Sequence, residues 1–500
     1  MEIFHNLALG FEVALQGQNL LYCFIGVLLG TLIGVLPGLG PLATISMLLP
    51  ITFGLPPISA LIMLAGIFYG SQYGGSTTAI LLNLPGESSS VVTALDGHQM
   101  ARQGRAGAAL ATAALGSFFA GTVGTLLIAV LAPPLARIAL QFGPAEYFSL
   151  MLFGLVIAVV LASGSMLKAL AMVVLGILLG LAGQDVNTGA FRFTFGVPEF
   201  ATGFDFLALS MGIFGLGEII RNLETDSPRI VTASRVGSLL LTREEWRRII
   251  APVLRGTGIG SLLGILPGGG AVLASFVSYT LEKRVSKRPE DFGTGMIEGV
   301  AGPESANNAG AQTSFIPMLT LGIPSNPVMA LMIAALILQG IQPGPNVMTA
   351  RPELFWGIIA SMWIGNLLLV VLNLPLVGIW VKILTIPYRY IVPAVGVLCC
   401  IGVYSVENNT ADVLMMGVFG LFGYLLLKLD CEPAPLLLGF IIGPLLEENL
   451  RRAMLIARGD WSTFVTRPLS AGLLLISVLA LVAVMSPMLR RKREEAFQES

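Results

Sequence analysis

Apolar runs of membrane-spanning length recur along this chain from residue 20 to residue 489, among them "LLIAVLAPPLARIAL", "AMVVLGILLGLAG" and "AGLLLISVLALVAVM". A helix needs about 20 such residues to cross the hydrocarbon core, and it satisfies its own backbone hydrogen bonds where lipid offers none. Only 11% of the residues are charged, against 55% hydrophobic, whereas a soluble domain carries about 25% charged residues. The expectation is an all-α polytopic membrane protein with no sizeable soluble domain. A formal net charge of −1 singles out neither an acidic nor a basic partner. Cys23, Cys399, Cys400 and Cys431 lie in or beside apolar segments without CxxC spacing, which predicts packing rather than a disulfide or metal role. The N-terminus has no basic stretch and no cleavage motif of a removable signal peptide.

One apolar segment interrupts itself. In "GVLLGTLIGVLPGLGP", residues 26 to 41, Pro37, Gly38, Gly40 and Pro41 stand where a helix should continue. The same happens at "GTGIGSLLGILPGGG". Gly26, Gly30, Gly34, Pro37, Gly38 and Gly40 recur as Gly256, Gly260, Gly264, Pro267, Gly268 and Gly270, every pair the same 230 positions apart (26 to 256). GxxxG alone commonly marks close helix packing, but six matched positions ending in a PG break indicate a duplication. Downstream, "GGSTTAILLNLPGESSS" pairs with "AGAQTSFIPMLTLGIPSNP", each a polar run, an apolar stretch and a proline followed by small polar residues. The predicted organisation is a first transmembrane repeat over 15–222, a basic cytoplasmic linker over 223–249 and a second repeat over 250–447. An amphipathic segment, an extra C-terminal helix and a basic tail follow over 448–500.

Loop charges set the relative orientation, because Lys and Arg collect on the cytoplasmic side. The loop after the first PG segment, "ITFGLPPIS", is uncharged, while its counterpart "LEKRVSKRPEDF" has four basic residues; one loop later "DGHQMARQGRAG" is basic and "QGIQPGPN" is not. Equivalent loops therefore fall on opposite sides, which predicts inverted-topology repeats with discontinuous or re-entrant helices at the PG motifs. The N-terminus is expected outside and the tail "RRKR" (490–493) in the cytoplasm. "EENLRRAMLIARGDWSTFVTRP" disagrees: this scheme puts it outside, yet it has four arginines.

Inverted repeats with broken helices are a transporter architecture, in which half-helix termini bind substrate and ions near the midplane. Half-helix N–H groups favour anions. The substrate-site candidates are Gly38, Gly40, Ser76, Thr77, Thr78 and Asn83 in the first half, with Gly268, Gly269, Asn307, Asn308, Thr313, Ser314, Ser325 and Asn326 in the second. Carbonyls at Pro37, Pro85, Gly86, Pro267, Gly270 and Pro324 are candidates for holding a cation such as Na⁺. The plainer alternatives are that PG turns a helical hairpin and that Ser and Thr bond their own helix backbone. Asn307 and Asn308 resist that reading, since adjacent buried amides need partners. Glu87 and Glu304 are either functional intramembrane acids or members of interfacial loops.

At "GVLPGLGP", "YGGSTTAILLNLPGESSSVVTALDG", "MARQGRAGAAL", "GILPGGGA" and "GPESANNAGAQTSFIPMLTLGIPSNP" the chain resembles the large membrane subunit of the tripartite tricarboxylate transporters. The resemblance covers nearly the whole chain and fades in the final 50 residues or so. It implies a bacterial inner-membrane secondary transporter that imports carboxylates, citrate or another tricarboxylate, a dicarboxylate or an aromatic acid, with Na⁺ or H⁺ and no other cofactor. It also implies a small membrane subunit of about four helices and a periplasmic substrate-binding protein as partners, and no nucleic acid.

An intramembrane enzyme is the first rival. With only His5 and His98 in the chain, a Ser-His-Asp triad or an HExxH zinc site is not expected, and Lys168 has no evident serine nucleophile. No Walker motif is present, and "GTGIGSLLG" lacks the strand and acidic residue of a dinucleotide loop. A carboxylate channel is the second rival.

Overall fold

The structure is a computed structural model of the 500-residue chain and describes residues 2–36, 40–84, 86–162, 165–185, 187–224, 237–266, 270–383 and 388–485. Pro37, Gly38, Pro85, Pro267, Gly268, Gly269 and the 490–493 tail lie outside the described residues. The described chain is helical apart from a two-residue hairpin, and five of its helices are long and apolar enough to cross a membrane.

α1 (Glu2–Ala14) leads into α2 (Gly17–Val35), which stops at the first PG motif. Leu36 turns extended, and α3 (Pro41–Phe53) begins beyond the motif with Gly40 as its N-cap. At 13 residues, or about 20 Å, α3 is shorter than a hydrocarbon core of about 30 Å. α4 (Pro57–Leu82) ends on Asn83 in the left-handed conformation, and a 3₁₀ turn at Ser88–Ser90 opens α5 (Val91–Arg102). Next come α6 (Ala106–Ala139), α7 (Pro144–Leu161) and α8 (Met166–Gly180), then the antiparallel strands β1 (Gly183–Gln184) and β2 (Phe191–Arg192). α9 (Phe206–Ser210) runs through a π-helical turn at Met211–Leu216 into α10 (Gly217–Glu224).

α11 (Arg243–Ile265) starts inside the stretch read as linker, because Thr242 and Glu245 form a capping box there. It stops at the second PG motif, and α12 (Gly270–Val285) follows. α13 (Glu298–Thr313) and α14 (Phe315–Leu321) are parted at Ser314, close to Pro317, whose missing N–H cannot bond the carbonyl one turn back. Gly322 closes α14 in the left-handed conformation, and Asn326 caps α15 (Pro327–Leu338). α16 (Asn346–Ala350), α17 (Pro352–Asn373), α18 (Val377–Ile383), α19 (Tyr388–Glu407) and α20 (Thr410–Lys428) follow. α21 (Ala434–Ile456) runs through residue 447, the expected end of the second repeat. α22 (Thr463–Thr466) and the C-terminal helix α23 (Pro468–Met485) complete the chain.

The matched glycines do the same work in both halves. A Cβ on Gly26, Gly30 or Gly34 would lie 2.3, 2.4 or 2.4 Å from the carbonyl oxygen of Met63, Ile67 or Ser71 on α4. On Gly256, Gly260 or Gly264 it would lie 2.2, 2.1 or 2.4 Å from the carbonyl oxygen of Gly302, Ala306 or Gly310 on α13. The two PG-bearing helices thus lie against α4 and α13 at backbone contact, a spacing that any side chain forbids. Every residue from Ser59 to Leu81 in α4 and from Gly299 to Thr313 in α13 is buried. Polar groups on these two helices therefore face protein and must find partners inside it.

Ion pairs tie the loops. Arg105–Glu245 (2.9 Å) and Arg248–Glu298 (2.7 Å) join the segments flanking α5, α11 and α13, so three basic stretches share one end of the molecule. Arg192 and Arg451 bracket Asp185 (2.6 and 3.1 Å) and Glu447 (2.9 and 2.6 Å). Arg452 pairs with Glu448 and Arg467 with Glu146, so three of the four arginines in the discordant segment are paired with carboxylates. The Asn187 N–H (3.0 Å) and the Thr188 hydroxyl (2.8 Å), with Arg192 beside them, hold the Asp185 carboxyl well below the usual carboxylate range. Its stabilising contribution is then complete above its unfolded value of about 3.9 and is lost only as the pH falls through the lower native value. Amide exchange in the 183–192 hairpin, read from pH 7 down to about 4.5 and corrected for intrinsic rates, is expected to show constant protection, with loss only at lower pH. Loss of protection above about pH 5 would contradict this assignment.

Candidate functional site

The polar runs of α4 and α13 converge. Glu304, on α13 and fully buried, accepts hydrogen bonds from Ser76 Oγ on α4 (2.7 Å), Thr93 Oγ1 on α5 (2.5 Å) and Ser117 Oγ on α6 (3.4 Å). Asn308 donates to Ser117 Oγ (2.6 Å) and to the Glu304 carbonyl (3.1 Å). Glu87, in the turn after α4, accepts from Asn307 Nδ2 (3.1 Å) and contacts the Ser89 hydroxyl, which also reaches Gln72 Oε1 (3.1 Å). Among the described residues neither carboxylate has a Lys, Arg or His partner. Two buried acids without a counter-cation are costly as anions, so the site has a standing demand for positive charge. Both acids are buried in the protein, Glu304 on a helix and Glu87 in a turn.

Beside Glu304 is a cavity with about 10 Å³ open to the centre of a water-sized particle, enough for one water or one small ion and far too small for a carboxylic acid. Tyr73, Ser76, Thr77, Ser117, Glu304 and Asn373 supply its polar lining, with small apolar residues of α6 closing the wall. Tyr73 donates to Asn366 Oδ1 (2.7 Å), Thr77 to the Tyr73 carbonyl (3.3 Å) and Asn373 Nδ2 to the Leu369 carbonyl (2.9 Å). Asn373 Oδ1 is buried without a partner.

The other candidates group around the breaks. Thr78 donates to the Val35 carbonyl (3.0 Å) and lies 3.4 Å from that of Gly34, covering the last carbonyls of α2. Gly86 packs on the same spot: its Cβ would be 2.1 Å from the Gly34 oxygen. In the second half, Thr313 Oγ1 lies against Gly264, and Gly270, at the start of α12 with φ +49°, faces Asn326. Thr313 and Ser314 donate to their own helix backbone (2.9 and 2.7 Å), Ser325 donates to the Ser314 carbonyl (3.1 Å) and Asn326 accepts from the Met329 N–H (2.9 Å). The bonds of these four are thus to backbone. Pro324 is buried in the turn between α14 and α15, and Gly40 borders open space at the start of α3. Asn83 is exposed as the left-handed cap of α4, away from the buried cluster.

Sequence reasoning missed Gln72, Tyr73, Thr93, Ser117, Asn366 and Asn373. Asn366 and Asn373, seven positions apart on the largely apolar α17, are the recoverable signal, since that spacing is two helical turns on one face.

The family described as "Tripartite tricarboxylate transporter TctA family" matches residues 20–438. An uncharacterized 52.8 kDa protein from the TAR-I ttuC' 3' region of Agrobacterium vitis is 63% identical over 499 residues, covering 100% of this chain and 99% of the relative. An uncharacterized protein from the TAR-II ttuC' 3' region of the same organism is 64% identical over 240 residues, 48% of this chain and 99% of the relative. No solved structure matches.

Proposed function

The chain belongs to the tripartite tricarboxylate transporter TctA family, and from that premise we propose that it imports a tricarboxylate or dicarboxylate by cation symport, with the acid delivered by a periplasmic binding protein. It is a multi-pass membrane subunit of a transporter and not an enzyme. In this reading a small membrane subunit of about four helices completes the complex in the bacterial inner membrane. The N-terminus faces the periplasm and the C-terminus the cytoplasm. The gathering of basic stretches through Arg105–Glu245 and Arg248–Glu298 at one end agrees with that orientation.

One observation carries the reading: each PG break abuts the polar turn of its own half, Gly34 against Gly86 and Gly270 against Asn326. In this reading the substrate carboxylates meet the starts of α3 and α12, with Gly40 offering an N–H group; Gly38, Gly268 and Gly269 lie outside the described residues. On the same reading Ser76, Thr77, Thr78, Asn307 and Asn308 add the site's polar side chains. Two such halves, read as inverted repeats, exchange conformations between outward and inward states in an elevator-like movement.

The test is uptake of labelled di- and tricarboxylates into proteoliposomes holding this chain with its small subunit and binding protein, with and without a cation gradient. Saturable, gradient-driven uptake with countertransport is expected. Non-saturating flux would make the protein a channel, and uptake of no acid under any gradient would remove the carboxylate assignment.

A further inference from the structure

We propose that the cavity beside Glu304 is the binding site of one dehydrated Na⁺, held by Glu304, Ser76, Thr77 and Asn373. The proposal rests on the cation-symport reading but moves the ion away from the carbonyls of the PG breaks and into the protein between α4, α6, α13 and α17. Three features of the cavity carry it.

First, the hydrogens around the cavity are committed to partners, those of Ser76 and Ser117 within reach of Glu304 itself (2.7 and 3.4 Å). Thr77 and Ser76 have carbonyl acceptors one turn back on α4 (3.3 and 2.9 Å), Tyr73 donates to Asn366 and Asn373 Nδ2 to Leu369. A hydroxyl whose hydrogen is committed to a carbonyl still offers its oxygen lone pairs. The surface left facing the cavity is thus made of acceptors, the donor set suited to a hard cation. Second, Asn373 Oδ1, on a residue 4% exposed, has no partner. A buried acceptor left unpaired costs stability, and an ion in the cavity removes that cost. Third, the charge and the size agree. One carboxylate matches one monovalent ion, whereas Ca²⁺ sites gather six to eight oxygens, and the free volume of about 10 Å³ accommodates a particle no larger than water.

Ser76 makes the site responsive. Its single hydrogen has two acceptors, Glu304 Oε2 at 2.7 Å and the Gln72 carbonyl at 2.9 Å. When the cation neutralises Glu304, that hydrogen turns to Gln72 and the Ser76 oxygen joins the ligands. When the cation leaves, the hydrogen returns to the carboxylate, and no heavy atom needs to move. The ion therefore changes the charge at the junction of α4 and α13, the two helices that carry the polar runs of both halves.

The experiment uses the purified full chain in detergent, without substrate, at fixed pH and ionic strength. Melting temperature and binding of radioactive Na⁺ are read as NaCl replaces KCl or choline chloride. Saturable stabilisation by Na⁺ over K⁺ is expected in the wild type and in Gly258→Ala, whose added Cβ meets nothing within 4 Å. Glu304→Gln is expected to lose it. Asn373→Leu, which keeps the branched side-chain shape but removes the orphan acceptor, is expected to weaken apparent Na⁺ affinity about ten- to hundredfold. Na⁺ stabilisation that survives both substitutions would overturn the site while leaving Na⁺ symport intact. A wild type indifferent to Na⁺, whose Glu304→Gln variant alone changes the pH dependence of melting, would make Glu304 a proton site and overturn the proposal. If Glu304→Gln does not fold, Asn373→Leu decides the matter. Uptake in proteoliposomes that needs no Na⁺ gradient would instead count against Na⁺ as the symported cation, on which the site rests.

Discussion

Gly260→Val is expected to leave little folded protein, at a cost of about 4 kcal/mol or more, whereas Gly258→Val on the same helix is expected to cost less than about 0.5 kcal/mol. The two substitutions add the same atoms two residues apart. At position 260 the first added carbon would sit 2.1 Å from the Ala306 carbonyl oxygen and 2.8 Å from two more backbone atoms of α13. Backbone cannot rotate aside as a side chain can, so α11 and α13 must separate along their length, opening the seam that Gly256 and Gly264 close. At position 258 nothing lies within 4 Å. Melting temperature and the monodisperse fraction in size-exclusion chromatography measure the contrast. Equal behaviour of the two variants would show that α11 does not lie at backbone contact with α13. Gly30→Val is expected to match Gly260→Val, since its Cβ would meet the Ile67 oxygen at 2.4 Å.

Asp96→Ala is expected to destabilise by about 3 kcal/mol, and Asp96→Asn by about 1 kcal/mol. Asp96 on α5 is fully buried. Its Oδ1 accepts from the N–H groups of Gly293, Gly295 and Met296 (2.9, 2.8 and 2.8 Å), and its Oδ2 accepts from the Tyr279 hydroxyl (2.9 Å). Alanine leaves four donors without an acceptor, three of them backbone groups that cannot turn to water without unmaking the loop before α13. Asparagine keeps an oxygen for the three N–H groups and presents its NH₂ to Tyr279, whose hydroxyl can accept instead. The ratio of the two effects thus separates loss of acceptors from loss of charge. Thermal melts, together with protease sensitivity of the 286–296 segment, read it out; an Asn variant as damaged as the Ala variant would place the charge, and not the acceptor geometry, in control. The same helix α5 carries Thr93 to Glu304.

Much of this architecture is legible in the sequence because its signals are local. Apolar length marks the spanning segments, and the PG pairs mark where α2 and α11 stop, since proline and glycine end a helix whatever surrounds it. The 230-residue spacing of the glycines (26 to 256) anticipates matched seams. Reading was less complete where several helices must meet. Asn307 and Asn308 were identifiable as needing partners, but the partners, Glu87 and Ser117, come from distant segments. Thr313, Ser314, Ser325 and Asn326, like Thr77 and Thr78 in the first half, bond the backbone of their own half.

By itself, then, the sequence determined the class of protein, the helix breaks and the close-packed glycine faces, because each depends on a few neighbouring residues and on the solvent they must avoid. Only the tertiary structure decided that Glu304 meets hydroxyls from α4, α5 and α6, that no basic side chain among the described residues reaches it, and that Asn373 Oδ1 is left unpaired at the cavity's edge. A carboxylate's partners are set by which helices pack against it, and packing between segments hundreds of residues apart leaves no periodic trace in the chain.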